Sequence, residues 1–99
     1  MESLANHENT IKARWTKLGI KKDDYKIDLE KAVKIKAKYI VKEAYTIEEL
    51  FAIFDTIEDK EESFYFGFSI YVSIVVTNPM GLMTLCIEGP EAILEMLYE

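Results

Sequence analysis

The residues that could do chemistry in this chain are few. Histidine and cysteine each occur once, at His7 and Cys86. A zinc site draws several ligands from Cys and His, and His7 has neither a Cys nor a second His near it in sequence, so it reads as a solvated terminal histidine. Reactive thiols need an electropositive, partly exposed setting. Cys86 sits between Leu85 and Ile87 in an acidic half of the chain, and it reads as a buried structural thiol. Asp55, Glu58, Asp59 and Glu62 are spaced by three and four, so a continuous helix would align their carboxylates toward a divalent cation. The chain has no glycine-containing calcium loop, and a run of charge is usually a solvated face. It also lacks the glycine-rich phosphate loops and the G-x-S-x-G elbow. The expectation is a non-catalytic protein with no cofactor and no metal.

The strongest pattern is basic. Between Tyr25 and Val41 the odd positions are almost all apolar, and Lys34, Lys36, Lys38 and Lys42 hold even ones. On a strand these lysines would project from one face about 6.6 Å apart, with Lys26 and Lys31 nearby. Such a strip could follow a phosphate backbone, with Tyr39 or Tyr45 as a stacking surface. It could equally protect a sheet face from unwanted pairing.

The balance of charge ranks these uses. The net charge of -6 separates into +4 over residues 1–45, where 11 basic side chains face 7 acidic ones, and -10 over residues 46–99, where 1 faces 11. A nucleic-acid module is expected to be basic overall, and Arg14 is the sole arginine able to make bidentate phosphate contacts. The preferred reading is therefore a protein-interaction module, a regulator or inhibitor. Its binding residues would be Lys34, Lys36, Lys38 and Lys42 on one side and Glu58, Asp59, Glu61 and Glu62 on the other. Charge complementarity would let the basic strip dock on the acidic loop of a second copy, giving a homo-oligomer, or let the acidic surface enter a basic groove of another protein. Nucleic-acid binding by the lysines is the alternative.

The elements that must position these residues follow from periodicity. Leu4, Ile11, Trp15 and Leu18 share a helical stripe that ends at Gly19, a common C-terminal cap; the helix could start as late as Thr10, leaving residues 1–10 as a frayed extension. The lysine alternation predicts a strand from Ala32 to Ala44, with a shorter extended piece from Tyr25 to Leu29. Thr46 and Glu49 make a capping box for a helix whose apolar side is Ile47, Leu50, Phe51, Phe54 and Ile57. Carboxylates oppose the dipole at a helix C-terminus, so that helix should stop near Ile57 and release a solvated acidic loop.

From Phe64 to Ile87 there are 24 consecutive uncharged residues, enough to span a bilayer. Phe64, Phe66, Phe68, Ile70, Val72, Ile74 and Val76 alternate with smaller or polar residues, which favours a strand over a single membrane-crossing helix. Asn78-Pro79-Met80-Gly81 has the preferences of a type I turn, and so predicts a hairpin of 64–77 with 82–88. Gly89-Pro90 then opens a last helix with Ile93, Leu94, Leu97 and Tyr98 inward. The expected fold class is α+β, in the order α-β-α-β-β-α, with helices on a mainly antiparallel sheet of at least three strands. Ninety-nine residues, 49% of them hydrophobic, suit one domain. A single cysteine rules out an intramolecular disulfide, and no export signal is legible from Met1 to Thr10, so a cytoplasmic setting is expected.

Overall fold

The computed structural model describes residues 4–98, with side chains described from residue 6 onward. Among those residues the chain is entirely helical: α1 (Leu4–Leu18), α2 (Leu29–Tyr39), α3 (Ile47–Thr56), α4 (Lys60–Val75), α5 (Pro79–Glu88) and α6 (Pro90–Leu97). This overturns the expected α+β class, since the described residues contain no strand and no sheet. Helix is already formed from Leu4 in the stretch expected to fray; the remainder of that stretch, residues 1–3, lies outside the described ones.

The predicted hairpin is the centre of the bundle. In α4, Phe64, Tyr65, Phe66, Gly67, Phe68, Ile70, Tyr71 and Val75 are all buried, so consecutive residues point into the core in every direction. Only Ser73 is exposed between Ser63 and Val75, with Ser69 and Val72 half-buried beside it, and so narrow an open side leaves the helix almost no 3.6-residue signature. Its large residues can then fall on even positions without implying a pleat. α1, α2 and α3 all pack on α4, and α5 packs on α6. Trp15 of α1 is 1% exposed, stacks on Phe64 with ring centroids 5.1 Å apart, and donates from Nε1 to the Ser63 carbonyl at 3.1 Å. Phe54 of α3 and Trp15 close on Gly67, where any side chain would meet both rings. Tyr39 of α2 meets Phe66 edge-on at 5.6 Å.

The predicted Ala32 to Ala44 strand is replaced by α2 and the turn after it. Its buried stripe is Ala32 and Ile35 with half-buried Tyr39, at intervals of three and four, whereas Leu29 and Val33, which the alternation turned inward, are 55% and 67% exposed. Asp28 starts this helix by accepting a hydrogen bond from the Lys31 amide, which satisfies one of the orphan donors of the first turn. The expected extended piece from Tyr25 to Leu29 contains no strand; Leu29 is already the first residue of α2.

Three local readings hold. Gly19, at φ +76°, ends α1 with paired bonds from the Gly19 amide to Thr16 O and from the Ile20 amide to Trp15 O, the Schellman arrangement. Thr46 and Glu49 form the reciprocal capping box of α3. Pro90 opens α6, with Ile93, Leu94 and Leu97 buried.

The acidic segment after α3 is not a free loop. Asp59 caps α4 by accepting from the Glu62 amide at 2.9 Å, and Glu61 and Glu62 occupy its first turn. Carboxylates that would oppose the dipole at the end of α3 favour it at the start of α4. Arg14 of α1 seals the same junction, donating from Nη2 to the Ile57 carbonyl at 2.9 Å.

The turn expected at Asn78–Gly81 is instead the entry to α5. Asn78 accepts from the Met80 amide and Pro79 takes the first helical position. Both grammars use Asn followed by Pro, because each needs a side-chain acceptor ahead of a residue with fixed φ. The break after Val75 divides the uncharged run between two helices of 16 and 10 residues. No described helix is long and apolar enough to cross a membrane, which removes the single-pass reading of 64–87.

Candidate interaction surface

The basic strip does not survive folding into a helix. Lys34 and Lys38, four residues apart, share one face of α2, Lys36 lies on another, and Lys42 falls beyond the helix in the connection to α3. Most of them are engaged within the chain. Lys38 pairs with Glu62 at 2.6 Å, Lys42 with Glu49 at 2.5 Å, Lys31 with Glu61 at 3.2 Å, and Lys34 with Glu30 of its own helix at 3.5 Å. Among the described residues Lys36 has no ion-pair partner; it borders a cleft between α2 and α4.

The two charged sets singled out from sequence thus meet each other. Glu62, only 21% exposed, accepts from both Lys38 and the Tyr39 hydroxyl. Those two hydrogen bonds, Lys38 first, hold its carboxyl below the ordinary carboxylate value, and the same bond to Glu62 pushes the Tyr39 phenol up. Glu49 is likewise lowered, chiefly by Lys42 and then by the Thr46 amide. Glu61 holds Lys31, Asp59 is the α4 cap, and Glu58 is exposed between α3 and α4. Four ion pairs, Lys22–Glu95, Lys31–Glu61, Lys38–Glu62 and Lys42–Glu49, join the +4 half to the -10 half among the described residues.

The aromatic rings proposed for base stacking are covered too. Lys42 lies over the Tyr45 ring, 4.7 Å from its centroid, and Tyr39 is packed on Phe66. The described residues hold no group of three or more His, Cys, Asp or Glu placed to hold a metal. In the carboxylate series considered for one, Asp55 is separated from Asp59 and Glu62 by the break between α3 and α4.

His7 and Cys86 reverse their expected settings. His7 is 9% exposed and stacks on Phe51 of α3 with ring centroids 5.4 Å apart, because α1 extends far enough to carry it onto that helix. Cys86 is exposed, because it lies on the outer side of α5.

That outer side is the feature sequence reasoning missed. Gly81 is buried and Thr84 and Leu85 are half-buried, so they form the inner edge of α5. Met80, Leu82, Met83 and Ile87 stand 76%, 47%, 59% and 75% exposed, with Cys86 among them. Glu88 is the only charged residue of the helix. Thr84 Oγ1 donates to the Met80 carbonyl at 2.9 Å, so its hydroxyl is satisfied within α5. The close approach of α5 to the end of α4 depends on Gly81: a Cβ there would lie 2.2 Å from the Val75 carbonyl oxygen. A signal was present in sequence, since 24 uncharged residues are more than one buried helix can use.

A second apolar surface lies over the cleft between α2 and α4, where Leu29, Val33 and Val72 surround Ser69 and Ser73. Both serines donate to the carbonyl four residues earlier, at 2.9 and 3.0 Å. Their hydroxyls are thereby turned back into α4, and the wall they leave is short. No family model, curated protein or solved structure matches the chain.

Proposed function

We propose that this chain is a non-catalytic protein-interaction module, a regulator or inhibitor, whose contact surface is the outer face of α5. The observation that carries this reading is four large apolar side chains left 47% to 76% exposed on a helix with a single charge. Contiguous apolar surface is a standing free-energy cost in water, about 25 cal/mol for each Å², and on soluble domains a patch of this kind marks an interaction site. Of the lysines and carboxylates first considered for binding, Lys38 pairs with Glu62 across α2 and α4, Lys34 pairs with Glu30 within α2, Lys42 pairs with Glu49, and Asp59 caps α4.

The test is capture with a tagged full-length chain from its native host, comparing the natural chain with Met83→Glu/Ile87→Glu. Both positions are exposed, so the changes should leave folding stability within about 0.5 kcal/mol. Proteins retained by the natural chain and lost from the variant support the reading. Identical retention by both would move the contact surface away from α5.

A further inference from the structure

We propose that the cleft between α2 and α4 is a binding site for a straight-chain monocarboxylate, with its head on Lys36 and its tail along Val33 and Leu29. The cleft measures about 290 Å³, close to the smallest small-molecule sites, which start at about 300 Å³. Leu29, Val33 and Val72 give it apolar walls over Ser69 and Ser73, and Lys36 is the only charged residue lining it. Both serine hydroxyls already donate to α4 carbonyls, so they leave no free proton for a polar ligand body. Leu29, Val33 and Lys36 follow at intervals of four and three, on one ridge of α2. That ridge is apolar for about 10 Å before it reaches the ammonium, a length spanned by an extended chain of about eight carbons.

Charge selects the occupant. Of the five lysines from Lys31 to Lys42, four reach a carboxylate, and Lys36 alone has no ion-pair partner among the described residues. This is so in a chain with 18 acidic side chains to 12 basic ones. A cation left unpaired at the end of an apolar cleft is complementary to an amphiphile with an anionic head, which it would hold by a charge-assisted hydrogen bond. The tail would cover Leu29 and Val33, now 55% and 67% exposed, and removing that surface from water is favourable. Past Lys36 the cleft continues toward Ile40 and Leu50, but Glu43 lines that side. A tail laid there would cover a carboxylate that has no ion-pair partner to replace its water, whereas the Leu29 side covers no charge. A free carboxylate suits the chain better than an anionic membrane surface, which would repel its net charge of -6. The cleft is open and the lysine stays wetted, so the dissociation constant should be on the order of 1 mM.

Titration of sodium octanoate into the full chain, followed by amide NMR up to about 20 mM ligand, tests this. The expected result is a saturable one-site response centred on residues 29–36 and 68–73. Lys36→Gln should weaken octanoate at least about fivefold and leave octanol unchanged. Lys34→Gln, on another face of α2, should leave octanoate binding as it is, and Val33→Asn should weaken acid and alcohol alike. All three positions are exposed, so the variants should melt as the natural chain does. No saturation, a response centred on α5, octylammonium bound as tightly as octanoate, or Lys36→Gln behaving as the natural chain would each overturn the proposal. Cosedimentation with phosphatidylglycerol vesicles in the absence of a one-site octanoate response would also overturn it, in favour of a membrane contact. The site shares no residue with the outer face of α5, so its failure leaves the capture result to stand or fall separately.

Discussion

Replacing Gly67 by alanine sets helix propensity directly against packing. In the middle of α4 the substitution should gain roughly 0.5–1 kcal/mol, because glycine loses more backbone entropy on folding and alanine is the best helix former. The new Cβ would, however, lie 2.9 Å from Phe54 Cε1 and 3.0 Å from both Trp15 Cζ2 and Nε1. Ordinary carbon contacts sit near 3.5–4.0 Å, so both rings must retreat by about 0.5–1 Å. Neither has room to do so. Each is 1% exposed, Trp15 is stacked on Phe64 and tied to the Ser63 carbonyl, and Phe54 meets Phe51 edge-on.

Overpacking of this kind costs about 1–3 kcal/mol, and straining the indole hydrogen bond costs about another 1 kcal/mol. Packing wins by about 1–3 kcal/mol net, a fall in melting temperature of about 4–8 °C for each kcal/mol in a domain of this size. Urea unfolding followed by Trp15 fluorescence measures it, Trp15 being the sole tryptophan. Trp15→Phe removes the ring edge that touches Gly67, so Gly67→Ala introduced into Trp15→Phe, followed by circular dichroism, should cost clearly less than in the natural chain. A Gly67→Ala protein as stable as the natural one, or costs that simply add in the double variant, would refute the packing argument.

Two further outcomes follow from the same geometry. Gly81→Ala should be worse than Gly67→Ala, since the atom in its way is the Val75 backbone carbonyl at 2.2 Å and no rotamer change can move it; hydrogen exchange over residues 79–88 should accelerate, and unchanged protection there would show that α5 does not depend on that approach. Glu62, whose folded carboxyl titrates below its ordinary value of 4.5, adds stability that is present above that pH and is lost as pH falls through the lower, folded value. Urea midpoints measured from neutral pH down to about pH 3 should therefore fall less steeply for Glu62→Gln than for the natural chain, and parallel curves would show that the Lys38–Glu62–Tyr39 contact contributes nothing to the acid limb.

Reading the sequence failed where the two rival periods cannot be told apart from one side of a contact. In α2, lysines at even positions look like one face of a strand, but the helix buries Ala32 and Ile35 with half-buried Tyr39, and leaves Val33 outside. The missed clue was Asp28, a helix cap ahead of residues that favour helix. A similar clue stands at Asp59, three residues before Glu62: the carboxylates that end α3 also cap and open α4. Paired lysines and carboxylates could not be recognised as counter-ions, because Lys38 and Glu62 are 24 positions apart and meet only when α2 lies against α4.

What the sequence determined by itself are helix ends decided within a few residues: the hydrogen bonds at Gly19 after α1, the Thr46–Glu49 box before α3, and Pro90, whose missing N–H suits the first position of α6. Each is fixed by chain connectivity, so no distant element is needed to decide it. Only the tertiary structure decided that Phe64 to Val75 is a helix buried over most of its surface, that Lys22, Lys31, Lys38 and Lys42 of the basic half pair with carboxylates of the acidic half, and that α5 is left with its apolar face outward. Those outcomes depend on what lies across each surface. An apolar side chain carries the same residue type whether it enters a core or faces water, and α5 meets the interior only along Gly81, Thr84 and Leu85.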